Sequence, residues 1–277
     1  QFAQGLRTLT NAVEADLGAQ YAAMSRANGT AGTTPFATAD DLSDYAEANR
    51  ILDDNGAPQA GRVMIVGSAA RAKLEGKHSE LFKVNEAGDA GAMLRQRQLR
   101  QLMGFGMGYS AGVASHVKGT ATGALVNGAL AIGATAIVFD GATAGATGIK
   151  AGDVVTFAGD ADNKYIVKTG LVGTDGTVTL QEPGLRVAIA NNAAITVGAS
   201  FTGNMFYHRN ALLLATRQPA MPEGGDEASD VETITDPVSG LTFQVALYKQ
   251  YRRVKYEIGL AWGTGAPNGK HGGVLLG

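Results

Sequence analysis

Ser110 lies in the stretch GFGMGYSAGV, residues 104–113, where Gly108-Tyr109-Ser110-Ala111-Gly112 is a full G-x-S-x-G match. In serine hydrolases that spacing makes a nucleophile elbow: a buried strand ends, the chain turns sharply, and a helix follows, leaving the serine oxygen exposed for attack. His271 follows in the required chain order, with Asp226, Asp230 and Asp236 as acids between them. The flanks argue against the chemistry. LRQRQLRQL before the motif is polar and basic, and VASHVKGTATG after it is too rich in glycine and β-branched residues for a helix. The HGG triplet that would form an oxyanion loop, residues 271–273, comes after the serine instead of before it. The same glycines invite a dinucleotide-binding turn, but Tyr109 stands where its third glycine belongs. The stretch reads best as a strand carrying Phe105, Met107 and Tyr109, with glycines where another backbone packs close. A serine hydrolase using Ser110 stays as the alternative from another class.

Other candidate chemistry disperses on the same test. His78, His116, His208 and His271 never fall at metal-ligand spacing, and the chain has no cysteine, which removes disulfides, thiolate zinc sites and cysteine nucleophiles together. DADNKY, residues 160–165, opens like a calcium loop but lacks its glycine and terminal glutamate, and is expected to be a solvated turn. Glu223, Asp226, Glu227, Asp230, Glu232 and Asp236 sit among Gly, Pro and Ser and read as a surface loop. Arg252, Arg253 and Lys255 are expected to face water or an acidic partner. No catalytic, cofactor-binding or metal-binding residues are expected, and the chain reads as a non-enzyme.

The elements that would position these residues divide by composition. Leu6, Leu9, Val13, Leu17, Tyr21 and Met24 recur at spacings of three and four, an amphipathic helix stopped by Asn28-Gly29. It begins without an N-cap, so residues upstream of Gln1 are expected to complete it. Thr38 and Asp41 open a second helix that stops at Asn55-Gly56; RVMIV, 62–66, is a short buried strand; and Ser68 caps a brief helix ending at Gly76. From Gly119 to Ser200 helix signals vanish and short Val/Ile/Thr runs alternate with glycines, predicting a small all-β module with a hairpin turn at Asp175-Gly176. In VKYEIGLAW, Val254, Tyr256, Ile258, Leu260 and Trp262 are expected to be the buried side of a strand and Arg253, Lys255 and Glu257 the wet side. At 277 residues, 45% apolar and net charge −2, the chain can bury a substantial core and lacks the dense basic face of a dedicated nucleic-acid binder. No apolar run is long enough to span a bilayer, and the chain reads as soluble. The Gly/Thr-rich β segment by itself would also suit a bacterial surface or adhesion module.

Three segments, in this order around the β module, carry a resemblance: LRQRQLRQLMGFGMGYSAGV, NMFYHRNALLLATRQP and DPVSGLTFQVALYKQYRRVKYEIGLAWG. They resemble the major capsid (coat) proteins of tailed double-stranded DNA bacteriophages, of the short-tailed-phage coat type with an inserted β domain. The resemblance covers most of residues 1–118 and 201–277. It implies an α+β shell fold with a spine helix at about residues 2–27, peripheral and axial domains, and a small β-barrel insertion. Residues 1–118 would be the first part of the shell domain, 119–200 the inserted domain and 201–277 the second part, with 36–117 and 201–250 building much of the axial domain and central sheet. The implied function is structural: self-assembly, as hexamers and pentamers, into the icosahedral shell around the genome. Implied partners are further copies of the chain together with scaffolding, portal and decoration proteins; contact with packaged DNA would be weak and non-specific, and no membrane is involved. The implied location is the virion capsid, assembled in the cytoplasm of the bacterial host.

Overall fold

The computed structural model describes residues 2–82, 96, 99–143, 147–220, 224 and 227–277. The fold is mixed α+β and mostly strand, with three α-helices among the described residues: α1 (Phe2–Gly18), α2 (Ser43–Asp54) and α3 (Ser68–Lys77). The chain forms two compact units, one of residues 1–17 and 213–265 and the other of residues 18–212 and 266–277. Their limits differ from the composition boundaries at 118/119 and 200/201.

The larger unit is organised by one sheet of thirteen strands. Its spine, in order, is Gln101–Leu102, Phe105–Tyr109, Arg62–Val66, Phe201–His208, Gly272–Leu276, Arg26–Asn28, Asp160–Thr169, Gly176–Leu180, Ala136–Asp140 and Leu125–Val126. Two neighbouring pairs are parallel, Arg62–Val66 with Phe105–Tyr109 and Arg26–Asn28 with Gly272–Leu276; the other neighbours along the spine are antiparallel. Gly272–Leu276 is buried along its whole length, as befits a central strand with apolar side chains on both faces. Its glycines admit close neighbours: a Cβ on Gly273 would lie 2.3 Å from Phe206 Cζ and 3.0 Å from the Arg26 carbonyl oxygen. Helices α2 and α3 contribute Tyr45, Ile51, Leu52, Ala70 and Leu74 to a core closed by Phe36, Phe105 and Phe206, with Phe36 stacked on Tyr45 at 5.0 Å.

The strands between residues 121 and 197 share a hydrophobic cluster of their own, centred on Ile137, Phe139, Val155, Phe157, Tyr165 and Val178. They also join the large sheet, because Arg26 and Ala27 pair with Tyr165 and Lys164. DADNKY is part of this junction and not a solvated turn. It begins the Asp160–Thr169 strand, and the buried Asp160 accepts hydrogen bonds from Asn163 Nδ2 at 2.7 Å and the Tyr165 hydroxyl at 2.5 Å. Asn163 Oδ1 in turn accepts from the buried Arg26 guanidinium at 2.8 Å, which also donates to Asp54 Oδ2 at 2.9 Å. Burial pushes the Arg26 guanidinium down from its usual value, and the Asp54 hydrogen bond opposes that shift.

In the smaller unit α1 lies on a three-stranded antiparallel sheet of Asp230–Thr235, Thr242–Gln250 and Arg253–Gly259, and a separate ribbon pairs Leu213–Arg217 with Ala261–Gly265. Val13 is buried with Leu241, Phe243 and Leu260, and Leu6, Leu9 and Leu17 flank it. The amphipathic stripe is therefore real, but its helix stops at Gly18. Residues 19–27, expected to continue it, hold the 3-10 turn Ala19–Ala23 and the start of the Arg26–Asn28 strand. Its partner is this C-terminal sheet, and of the segment 201–250, expected in the axial domain and central sheet, the strand Phe201–His208 joins the large sheet while residues from Leu213 onward belong to the unit that holds the helix.

Local signals differ from expectation in smaller ways. Thr38 lies outside α2, which starts at Ser43, where Asp41 Oδ1 accepts the Ser43 N–H at 2.9 Å. Gly67 is the N-cap residue of α3, and Ser68 is its first helical residue. Asp230 and Glu232, read as loop, stand on an exposed strand, whereas Glu223 and Asp226 lie outside the described residues. No helix among the described residues is long and apolar enough to cross a membrane.

Candidate functional site

Ser110 follows directly on Phe105–Tyr109, which runs parallel to Arg62–Val66 with Met64 opposite Met107. A parallel strand therefore does precede it, which the polar flank had argued against. The helix that an elbow needs does not follow: residues 111–114 are irregular and lead into the short strand Ser115–His116. Without that helix the serine lacks the sharp strand-to-helix turn that exposes the oxygen. Ser110 instead closes a local turn, its N–H donating to the Val66 carbonyl at 3.2 Å and its Oγ accepting the Gly112 N–H at 2.9 Å. The close neighbour of Gly108 is a side chain and not a backbone, since a Cβ there would lie 2.4 Å from Ile65 Cδ1.

Ser110 borders a cavity of about 260 Å³ whose walls include Ser68, Ala69, Thr202 and Asn204. The first turn of α3 opens on it, and Asn204 Oδ1 accepts the Gly67 N–H at 2.8 Å, holding the strand-to-helix corner. The histidines bond elsewhere. His271 Nδ1 contacts Asn268 at 2.9 Å and Asn210 at 3.2 Å, and burial together with Lys270 and His208 holds its imidazole below the ordinary range. Among the described residues neither ring nitrogen of the buried His78 has a hydrogen-bond partner, and its ring packs edge-on to Phe36. Ser110→Ala should change stability by at most about 1 kcal/mol, the usual net value of one hydrogen bond, in a thermal melt. Covalent labelling of Ser110 by a fluorophosphonate would restore the nucleophile reading.

A constellation that the sequence did not suggest joins Tyr21, His116 and Asp153. The Tyr21 hydroxyl is 2.7 Å from His116 Nδ1, and His116 Nε2 is 2.7 Å from Asp153 Oδ1. The fully buried Asp153 carboxylate also accepts the Gly119 N–H at 3.0 Å and the Lys150 N–H at 2.7 Å. Both ring nitrogens of His116 are thereby engaged, Nδ1 with the phenol and Nε2 with the carboxylate. Burial, and secondarily the Asp153 charge, push the Tyr21 phenol up, so its proton is held more tightly than usual. The three side chains clamp residues 116–119 to the 150–153 turn. Asp153→Asn puts an amide NH₂ among groups that donate, and should cost about 2–3 kcal/mol in chemical denaturation. Unchanged stability would remove the clamp. No signal in the chain could have found it, because its members lie up to 132 positions apart.

The three-stranded sheet of the smaller unit carries exposed apolar side chains on both of its edge strands. Val254 and Tyr256, expected to be buried, are 59% and 56% exposed, and Val231 and Ile234 on the opposite edge strand are also exposed. Leu260 is buried as expected. The strand breaks at Gly259, so the alternation does not run through VKYEIGLAW as one element. Among the described residues no group of three or more His, Asp or Glu side chains is placed to hold a metal ion.

No protein-family model matches the chain, and no curated protein matches it. Among solved structures, a chain of Mycobacterium phage Che8 is similar with a TM-score of 0.46 and 14% sequence identity. That match covers 99% of this chain and 61% of the other, so this chain spans about three-fifths of its length.

Proposed function

We propose that this chain is a structural subunit that assembles with copies of itself into the capsid shell of a tailed double-stranded DNA phage. The observation that carries the reading is the unit made by α1 and residues 213–265. A helix from the front of the chain lies, through Val13, on a sheet from its far end built around Phe243. The resemblance implies a spine helix at about residues 2–27, and α1 supplies such an amphipathic helix, although the sheet that covers it is this one and not the central sheet. Exposed apolar residues on both edge strands of that sheet support association, since an apolar surface of this kind gains free energy when a partner covers it.

On this reading the protein is not an enzyme and needs no cofactor, and Ser110 is a turn residue. Residues 119–200 form an inserted module that stabilises the subunit and meets neighbours on the shell exterior. Hexamers and pentamers of the chain would be joined by scaffolding, portal and decoration proteins and would assemble in the bacterial cytoplasm. A net charge of −2 suits a shell that must not grip the packaged genome, because a basic lining would bind it by counterion release. Negative-stain electron microscopy with sedimentation velocity on the full chain tests the reading. Closed shells or ring-shaped capsomers are expected, and particles of monomer size at every concentration and salt would overturn it.

A further inference from the structure

We infer that the outer edge of the Arg253–Gly259 strand pairs with the same strand of a second copy, antiparallel about a two-fold axis at Tyr256. The inference rests on the reading of the chain as a self-assembling subunit and specifies one of its contacts. The strand is the last of its three-stranded sheet, and among the described residues no strand occupies its outer side. An open edge presents N–H and C=O groups to any other strand, and proteins that must stay apart block it with a bulge, a proline or charged side chains that meet no complement. This strand carries Arg253, Lys255 and Glu257, so what decides is whether they meet complements. This edge is regular, its register running unbroken from Gln250 opposite Arg253 to Gln244 opposite Gly259.

The sequence of the strand, Arg-Val-Lys-Tyr-Glu-Ile-Gly, is its own complement when laid antiparallel on itself. With Tyr256 opposite Tyr256 of the second copy, Lys255 of each copy stands opposite Glu257 of the other, so symmetry makes the ion pair twice. Val254 then faces Ile258 on the other side of the sheet. That side carries α1: the Phe2 and Tyr256 rings meet edge-to-face at 5.0 Å, and a Cβ on Gly5 would lie 2.9 Å from Ile258 Cδ1. Phe2, 45% exposed, would join Val254 and Tyr256 in covering the axis. Within one copy Lys255 Nζ is 3.3 Å from Glu257 Oε2, an exposed pair that contributes little and leaves both groups able to meet a partner. The opposite edge has no such symmetry. Asp230–Thr235 laid on itself would bring Asp230 and Glu232 toward their own copies, like charge against like.

The charge pattern permits a decisive experiment on the full chain. Lys255→Glu and Glu257→Lys each set like charges opposite one another across the axis. Each should weaken self-association by about tenfold or more in sedimentation velocity, with the melting temperature nearly unchanged. Mixed in equal amounts, the two variants should associate again, because the acidic pair of one faces the basic pair of the other; an effect confined to one chain could not be rescued by mixing. As a second measurement, Tyr256→Cys in this cysteine-free chain should give a covalent dimer on oxidation, whereas Val231→Cys on the opposite edge should not. Association that survives in both charge variants, gains nothing from mixing and gives no Tyr256→Cys dimer would overturn the two-fold pairing and leave the self-assembly reading standing. A wild-type chain that stays monomeric at every concentration and salt would overturn both.

Discussion

Val13→Asp is expected to unfold the unit formed by α1 and the C-terminal sheet. Val13 is buried among Leu241, Phe243 and Leu260, with leucines of α1 on either side, and none of these apolar side chains can pair with a carboxylate. Burying an unpaired carboxylate in such a cluster should cost at least about 4 kcal/mol, a large part of the stability of a domain this size. Hydrogen exchange would localise the effect: the amides of Thr242–Gln250 should lose protection while those of Gly272–Leu276, in the other unit, keep theirs. Val13→Ala removes packing without adding charge and should give a folded protein with a lower melting temperature. Normal shells from the Val13→Asp protein would remove the helix from its assigned place.

Gly273→Val should be as damaging to the larger unit. The side chain would be built into a central strand where Phe206 Cζ lies 2.3 Å away and the Arg26 carbonyl oxygen 3.0 Å away. Phe206 has nowhere to retreat, being fully buried with its ring 6.4 Å from that of Phe105, and the Arg26 oxygen belongs to the parallel neighbouring strand. Overpacking of this kind in a close-packed interior should cost about 3 kcal/mol or more and give mainly insoluble protein. Gly263→Val is the control, because nothing lies within 4 Å of a Cβ there. Equal solubility of the two variants would show that the sheet centre can yield.

Local structure was legible in the sequence wherever one element decides its own pattern. The Leu6-to-Leu17 stripe gave a helix, RVMIV gave Arg62–Val66, and the alternation of Phe105, Met107 and Tyr109 gave a strand. What was not legible depends on partners far along the chain. HGGVLLG has too few residues and too many glycines to announce a strand, yet it becomes the buried strand between Phe201–His208 and Arg26–Asn28, because both neighbours supply its hydrogen bonds. The helix was overextended because Tyr21 and Met24 keep the apolar spacing; in the structure they pack in a different cluster, with Phe201 and Met205, and the chain leaves the helix to reach it. Val254 and Tyr256 alternate as buried residues should and yet are exposed, since alternation says which side chains share a face and not whether anything covers it. The Tyr21–His116–Asp153 clamp illustrates the same limit, as no spacing rule connects its members.

The division of the chain into units has a consequence for synthesis. Val13 leaves the ribosome 228 residues before Leu241, the first of its buried partners in chain order. At typical elongation rates of about 5–20 residues per second, the apolar side of α1 stays uncovered for roughly 10–50 s. The Arg26–Asn28 strand waits longer still for Gly272–Leu276, its parallel neighbour. Neither unit can close until its later strands have emerged, so the nascent protein carries an open helix face and an open sheet position while the more than 200 residues between the partners are made. At the high local concentration of a polysome, where many copies wait in that condition together, holding by a chaperone would protect yield more than any gain in native stability.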